Sequence, residues 1–146
     1  MVGRCLCGRV RYEVSGSVDR AYQCHCSLCR KQGSSASSFA TIVAAADFRW
    51  LQGEQGVTRF RKRSGFSSYF CSNCGATVPN QLRTNPLVWI PLGGLETSVS
   101  PRVVVHLYAD SRAPWDTDQL AGRVYAEMPG LDEFMALLHG GGGQER

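Results

Sequence analysis

No apolar run in the sequence approaches the ~18–20 residues of a membrane span. The opening residues, Met1-Val2-Gly3-Arg4-Cys5, show no charged region followed by an apolar one, so no secretory signal is expected. Charge of one sign is also scarce. Sixteen Lys and Arg stand against twelve Asp and Glu, a formal net charge of +4. That balance suits an anionic ligand but is too weak to argue for nucleic acid by itself. Helical periodicity is rare, and nothing repeats except short cysteine turns. These absences exclude a membrane span and a helical bundle, and they make a cytoplasmic protein the expectation.

The length of 146 residues is one domain's worth, and 43% hydrophobic against 19% charged residues is the balance of a globular chain able to bury a core. A single domain is expected over 1–139, followed by a disordered glycine-rich tail over 140–146. Short alternating stretches separated by Gly, Ser and Asn turns predict mainly antiparallel β structure. In the first of them Val10, Tyr12 and Val14 face one way, and Arg9, Arg11 and Glu13 the other. Leu131 to His139 is the one convincing helix, with Leu131, Phe134, Met135 and Leu138 on one face and Gly140 as its stop.

Cysteine is the residue present in excess. There are seven: Cys5 and Cys7, then Cys24, Cys26 and Cys29, then Cys71 and Cys74. In a reducing compartment, clustered thiols read as metal-binding or catalytic rather than as disulfides, and an odd count leaves one unpaired in any case. Residues two apart in an extended chain share a face, so each C-x-C can present both thiols to one ion. Gly8 after the first pair supplies the positive φ that such a turn needs.

Zinc is the metal that thiolates suit. Two partitions are possible. Cys26/Cys29 could join Cys71/Cys74 as in a zinc ribbon, which strands Cys5, Cys7 and Cys24. Alternatively Cys5, Cys7, Cys71 and Cys74 form one set, and Cys24, Cys26 and Cys29 another. The second uses every cysteine and is favoured. Four thiolates close a structural site; three leave a position for water or substrate, as in catalytic zinc sites. A soft thiol substrate fits that position, where it would be held as the reactive thiolate.

Three stretches carry a family resemblance: Gly3-Arg4-Cys5-Leu6-Cys7-Gly8, Cys24-His25-Cys26-Ser27-Leu28-Cys29-Arg30-Lys31 and Phe70-Cys71-Ser72-Asn73-Cys74-Gly75. They resemble the signatures of the glutathione-dependent formaldehyde-activating family, which also includes centromere protein V. His106-Leu107-Tyr108 and Ala113-Pro114-Trp115 are similar to its C-terminal signature. The resemblance spans roughly residues 3–120. It implies several coiled antiparallel β-sheets organised around zinc (a β-tent-like fold) with one short C-terminal helix. It also implies a structural zinc on Cys5, Cys7, Cys71 and Cys74, and a more labile catalytic zinc on Cys24, Cys26 and Cys29. The implied activity is carbon–sulfur lyase chemistry on a glutathione–formaldehyde adduct.

Other residues are weighed against their simpler roles. Arg30 and Lys31 are candidates to hold substrate carboxylates, against a solvated turn. His25, between two ligands, is expected to point away from them onto the surface. His106, in an apolar strand, reads as a satisfied buried histidine before it reads as a proton shuttle. His139 reads as a helix-end charge, and Trp115 as a lid or a core plug. The run Arg59-Phe60-Arg61-Lys62-Arg63 motivates an alternative function, a non-catalytic zinc-stapled module binding nucleic acid or protein. An edge strand kept soluble by charge is the simpler reading, and it disfavours a nucleic-acid partner.

Overall fold

The computed structural model describes residues 1–96 and 99–140. Apart from Gly140, the glycine-rich tail expected over 140–146 lies outside the described residues. The strands in chain order are β1 (Val2–Arg4), β2 (Arg11–Val14), β3 (Arg20–Cys24), β4 (Ser38–Ala44), β5 (Phe48–Gln52) and β6 (Val57–Arg61). They continue with β7 (Ser67–Cys71), β8 (Asn80–Gln81), β9 (Leu87–Pro91), β10 (Arg102–Leu107) and β11 (Arg123–Val124). Two α-helices occur among the described residues, α1 (Ser27–Gly33) and α2 (Leu131–His139). The fold is mainly β, with three sheets. No helix among the described residues is long and apolar enough to cross a membrane.

The chain forms two compact units. One comprises Met1–Val18 and Ala40–Ser100; the other comprises Asp19–Phe39 and the chain from Pro101. In the first, β2 lies between β1 and β5, antiparallel to both. The predicted alternation holds there: Val10, Tyr12 and Val14 are fully buried. Tyr12, Phe48 and Trp50 pack as a tilted and edge-on aromatic trio with centroids 5.0 to 6.2 Å apart. They join Val14, Val18, Val43, Val88 and Ile90 in one core cluster. β9 pairs antiparallel with β4 on one side and β8 on the other. β6 and β7 form a two-stranded antiparallel sheet, so β6 is an edge strand, as its charges suggest.

In the second unit β10 pairs in parallel with both β3 and β11. Parallel pairing needs long connections, which a turn-by-turn reading of the sequence does not foresee. α2 packs on β3 and β10. Its Phe134 ring meets Tyr22 edge-on at 4.9 Å, and Leu138 is buried beside it, while Leu131 stays exposed. The Arg20 side chain donates to the carbonyl of Leu137 at 2.9 Å, satisfying one of the orphan acceptors of the helix end.

Over residues 76–82 the pairing is reduced to a bridge at Thr77 and the short β8. Pro79 between them has no N–H to offer a ladder. The turn after Cys26 continues as a helix, which the charged and small residues from Arg30 onward did not announce.

Phe134 is the largest buried side chain of α2. Phe134→Ala should cost about 3–5 kcal/mol, read as a lowered midpoint in chemical denaturation. A shift worth less than about 1 kcal/mol would show that α2 contributes little to the core of its unit.

Candidate metal centre

The seven cysteines fall into two groups, one in each unit. Cys5, Cys7, Cys71 and Cys74 have all their sulfurs within 4.8 Å of one another, and so do Cys24, Cys26 and Cys29. The ribbon partition is not the one adopted. Local hydrogen bonding shows how the chain delivers the four-cysteine group. After Cys5 the chain turns back, with Gly8 N–H donating to the Cys5 carbonyl at 3.1 Å and Cys5 N–H to the Val10 carbonyl at 3.0 Å. After Cys71 a turn one residue longer brings the chain back, with Gly75 N–H donating to the Cys71 carbonyl at 2.8 Å and Cys71 N–H to the Ala76 carbonyl at 2.9 Å. Gly8 and Gly75 take φ of 77° and 73°, which a side chain would strain.

This group fits a tetrahedral thiolate-bound ion. Zinc–sulfur bonds of about 2.3 Å at tetrahedral angles place sulfurs about 3.8 Å apart. The Cys5–Cys7 and Cys7–Cys71 sulfurs are 3.6 and 3.8 Å apart. Donors also converge on the sulfurs. Val10 N–H reaches Cys5 Sγ at 3.3 Å. The backbone N–H of Arg9, then the Asn73 side chain, lower the Cys7 thiol to about 6, and the Ala76 N–H lowers Cys74. Both favour the thiolates that a metal requires.

The three-cysteine group spans the end of β3 and the start of α1. Cys26 is the N-cap of α1, and its sulfur accepts the Cys29 N–H at 3.4 Å. Hydrogen bonds from Cys24, then Cys29, pull Cys26 down to about 2. The same contact with Cys26, followed by that with Cys29 and by burial, pushes Cys24 up. The group holds three candidate ligands, and among the described residues no fourth cysteine, histidine or carboxylate joins it.

Arg30 and Lys31 line a recess of about 180 Å³ with Ser34, Ser35 and Trp115. Arg30 Nε is buried without a hydrogen-bond partner, and only Nη2 reaches a carbonyl, that of Ser111, at 3.5 Å. Trp115 is 66% exposed, so it is not a core plug. The basic run is partly engaged: Arg59 sits over the Tyr69 ring at 5.2 Å, and Arg61 Nη2 donates to Tyr69 Oη at 2.9 Å.

His25 departs from its expected surface position, being only 1% exposed. It does point away from its cysteine neighbours, but into a polar chain. His25 Nε2 lies 3.1 Å from His106 Nδ1, and His106 Nε2 donates to the Ala121 carbonyl at 2.9 Å. His25 Nδ1 lies 3.3 Å from Asp116 Oδ2, within ion-pair range though off the line of a well-formed hydrogen bond. Arg112 grips Asp116 with Nη2–Oδ1 and Nε–Oδ2 bonds of 2.7 and 3.1 Å and holds its carboxyl low. Burial pushes both imidazoles toward neutrality, while Asp116 opposes this at His25. His106 is thus the satisfied buried histidine that its strand suggested.

The sequence offered few signs of Arg112 or Asp116, and Tyr108 entered only as part of the C-terminal signature. Tyr108 adopts φ 55°, unusual for a bulky residue. Burial, then the charge of Cys24, raises its phenol, so Oη keeps its proton beside the cysteines.

The model of the family described as glutathione-dependent formaldehyde-activating enzyme matches residues 1–111. A crystal structure of a Rhodobacter sphaeroides protein from structural genomics is similar to this chain at 31% identity and a TM-score of 0.57, covering 70% of this chain and 93% of that one.

Two separate thiolate groups predict separable metals. Cys71→Ser and Cys26→Ser should each remove about one zinc equivalent per chain, measured by elemental analysis of the purified protein. Cys71→Ser, at a closed site joining distant turns, should also lower the melting temperature more. Loss of both metals from either single substitution would contradict the partition.

Proposed function

The chain belongs to the glutathione-dependent formaldehyde-activating enzyme family, and from that footing we propose that it is a carbon–sulfur lyase acting on a thiol–aldehyde adduct such as S-hydroxymethylglutathione. The observation that carries this reading is the three-cysteine group without a fourth protein ligand among the described residues. A zinc ion held there would supply Lewis acidity to the substrate sulfur and favour its thiolate form.

The reaction in the releasing direction breaks the C–S bond and leaves its electron pair on sulfur. The hydroxyl oxygen gives up its proton as it becomes the carbonyl oxygen of formaldehyde. In the condensing direction the same steps reverse. Cys24, Cys26 and Cys29 would hold the metal and keep the site anionic, so a substrate carboxylate would need compensation nearby.

Arg30 and Lys31 give that compensation. The unpartnered Arg30 Nε is a donor suited to a carboxylate, and Trp115 forms an apolar wall of the same recess. Tyr108 Oη, held protonated, is a hydrogen-bond donor for an anionic sulfur or oxygen. The engagement of Arg59 and Arg61 by Tyr69 gives no support to a nucleic-acid-binding module.

The test is formaldehyde release from S-hydroxymethylglutathione. Cys26→Ser should abolish it. Arg30→Ala should raise KM by about tenfold, the scale of one charge-assisted hydrogen bond, with kcat little changed. Equal rates for wild type and Cys26→Ser, or no release from any glutathione adduct, would remove this reading.

A further inference from the structure

The two C-x-C turns share a spacing but treat their middle residue in opposite ways. In the four-cysteine group that residue is Leu6, 85% exposed. In the three-cysteine group it is His25, buried and held at several points. Its backbone N–H donates to the Leu107 carbonyl at 3.0 Å. Its ring lies against His106 on one side and Asp116 on the other. Neither partner is loose. His106 is anchored on the Ala121 carbonyl, and Asp116 is gripped twice by Arg112, whose Nη2 also donates to the Asp118 carbonyl at 2.8 Å.

We propose that Asp116 and Arg112 are positioning residues for the three-thiolate site, acting through His25 to set how firmly Cys24 and Cys26 hold their metal. This rests on the reading of that group as a metal site.

The physical reason is ligand count. Four protein ligands fix one another's geometry through the ion; three leave an open position and depend on the scaffold for preorganisation. His25 Cα lies one peptide, about 3.8 Å, from the Cα of each flanking ligand. A ring that cannot swing therefore limits how far the two sulfurs can spread. Asp116 has no contact with the sulfurs in this arrangement and acts only from behind the loop. Partners of this outer kind commonly change metal affinity 10–100-fold.

The experiment is zinc release from the loaded full-length chain to a chromogenic chelator, followed in time. Wild type should give two phases, a fast one from the three-thiolate site and a slow one from Cys5, Cys7, Cys71 and Cys74. Asp116→Asn keeps the size of the side chain and removes its charge. It should speed the fast phase about tenfold or more and leave the slow phase unchanged. Arg112→Lys, which keeps the charge but loses the forked grip, should give a smaller acceleration in the same direction, and it serves if Asp116→Asn is not recovered folded. Leu6→Ala should alter neither phase. A fast phase unchanged in both the Asp116 and Arg112 variants, or an equal acceleration of both phases, would overturn the positioning role. A wild-type chain that releases a single zinc would instead overturn the metal reading and this inference with it.

Discussion

Sulfur convergence is the constraint on which the rest depends. A thiolate cage needs sulfurs about 3.8 Å apart, and few backbone arrangements put two cysteines that close without distortion. This chain uses tight turns, each with a donor N–H aimed back at a sulfur or a carbonyl. In the first unit the turns after Cys5 and Cys71 bring together residues more than sixty positions apart, beside the core cluster of Val10, Tyr69 and Val78. Cys5 and Cys71 themselves belong to that cluster. Were a metal bound there, its binding and the apolar packing would be one structural event, and losing either would loosen the other.

The three-cysteine group obeys the same geometry under a different charge balance. Three thiolates around a divalent ion leave a net negative charge, which repels an anionic substrate unless cations stand near. Arg30 and Lys31, in the helix that begins at Cys26, are placed by the same turn that places the ligands. In the proposed reading, ligand geometry and charge compensation would thus come from one short segment.

How much of this can be read from the sequence depends on the range of the interaction. Cysteine spacing is local, so the turns themselves were legible; which turns share a cage is not local, and the favoured partition rested on using every cysteine and on the family resemblance. Strand alternation at Val10, Tyr12 and Val14 and the bounds of α2 were legible too, because side-chain period is a local property. The direction of His25 was legible from the extended C-x-C geometry; its burial was not. What lies behind the loop comes from His106 and Asp116, some eighty and ninety residues later, and no local pattern pairs them with His25. The parallel pairing of β3 with β10 is non-local in the same way. α1 was hidden for another reason: seven residues are too few to show a periodic apolar face, and none of them is buried.

The segment from Arg112 to Ala121 joins the two halves of the second site. Trp115 and Asp116 are sequence neighbours with opposite surroundings. The first is 66% exposed on the recess with Arg30 and Lys31; the Asp116 side chain is 6% exposed against His25. The planar peptide between them holds their Cα atoms about 3.8 Å apart, so the wall of the recess and the carboxylate behind the cysteine loop share one anchor in the backbone. That anchor is fixed by Arg112, whose two bonds to Asp116 and one to the Asp118 carbonyl pin the segment on the side away from the indole.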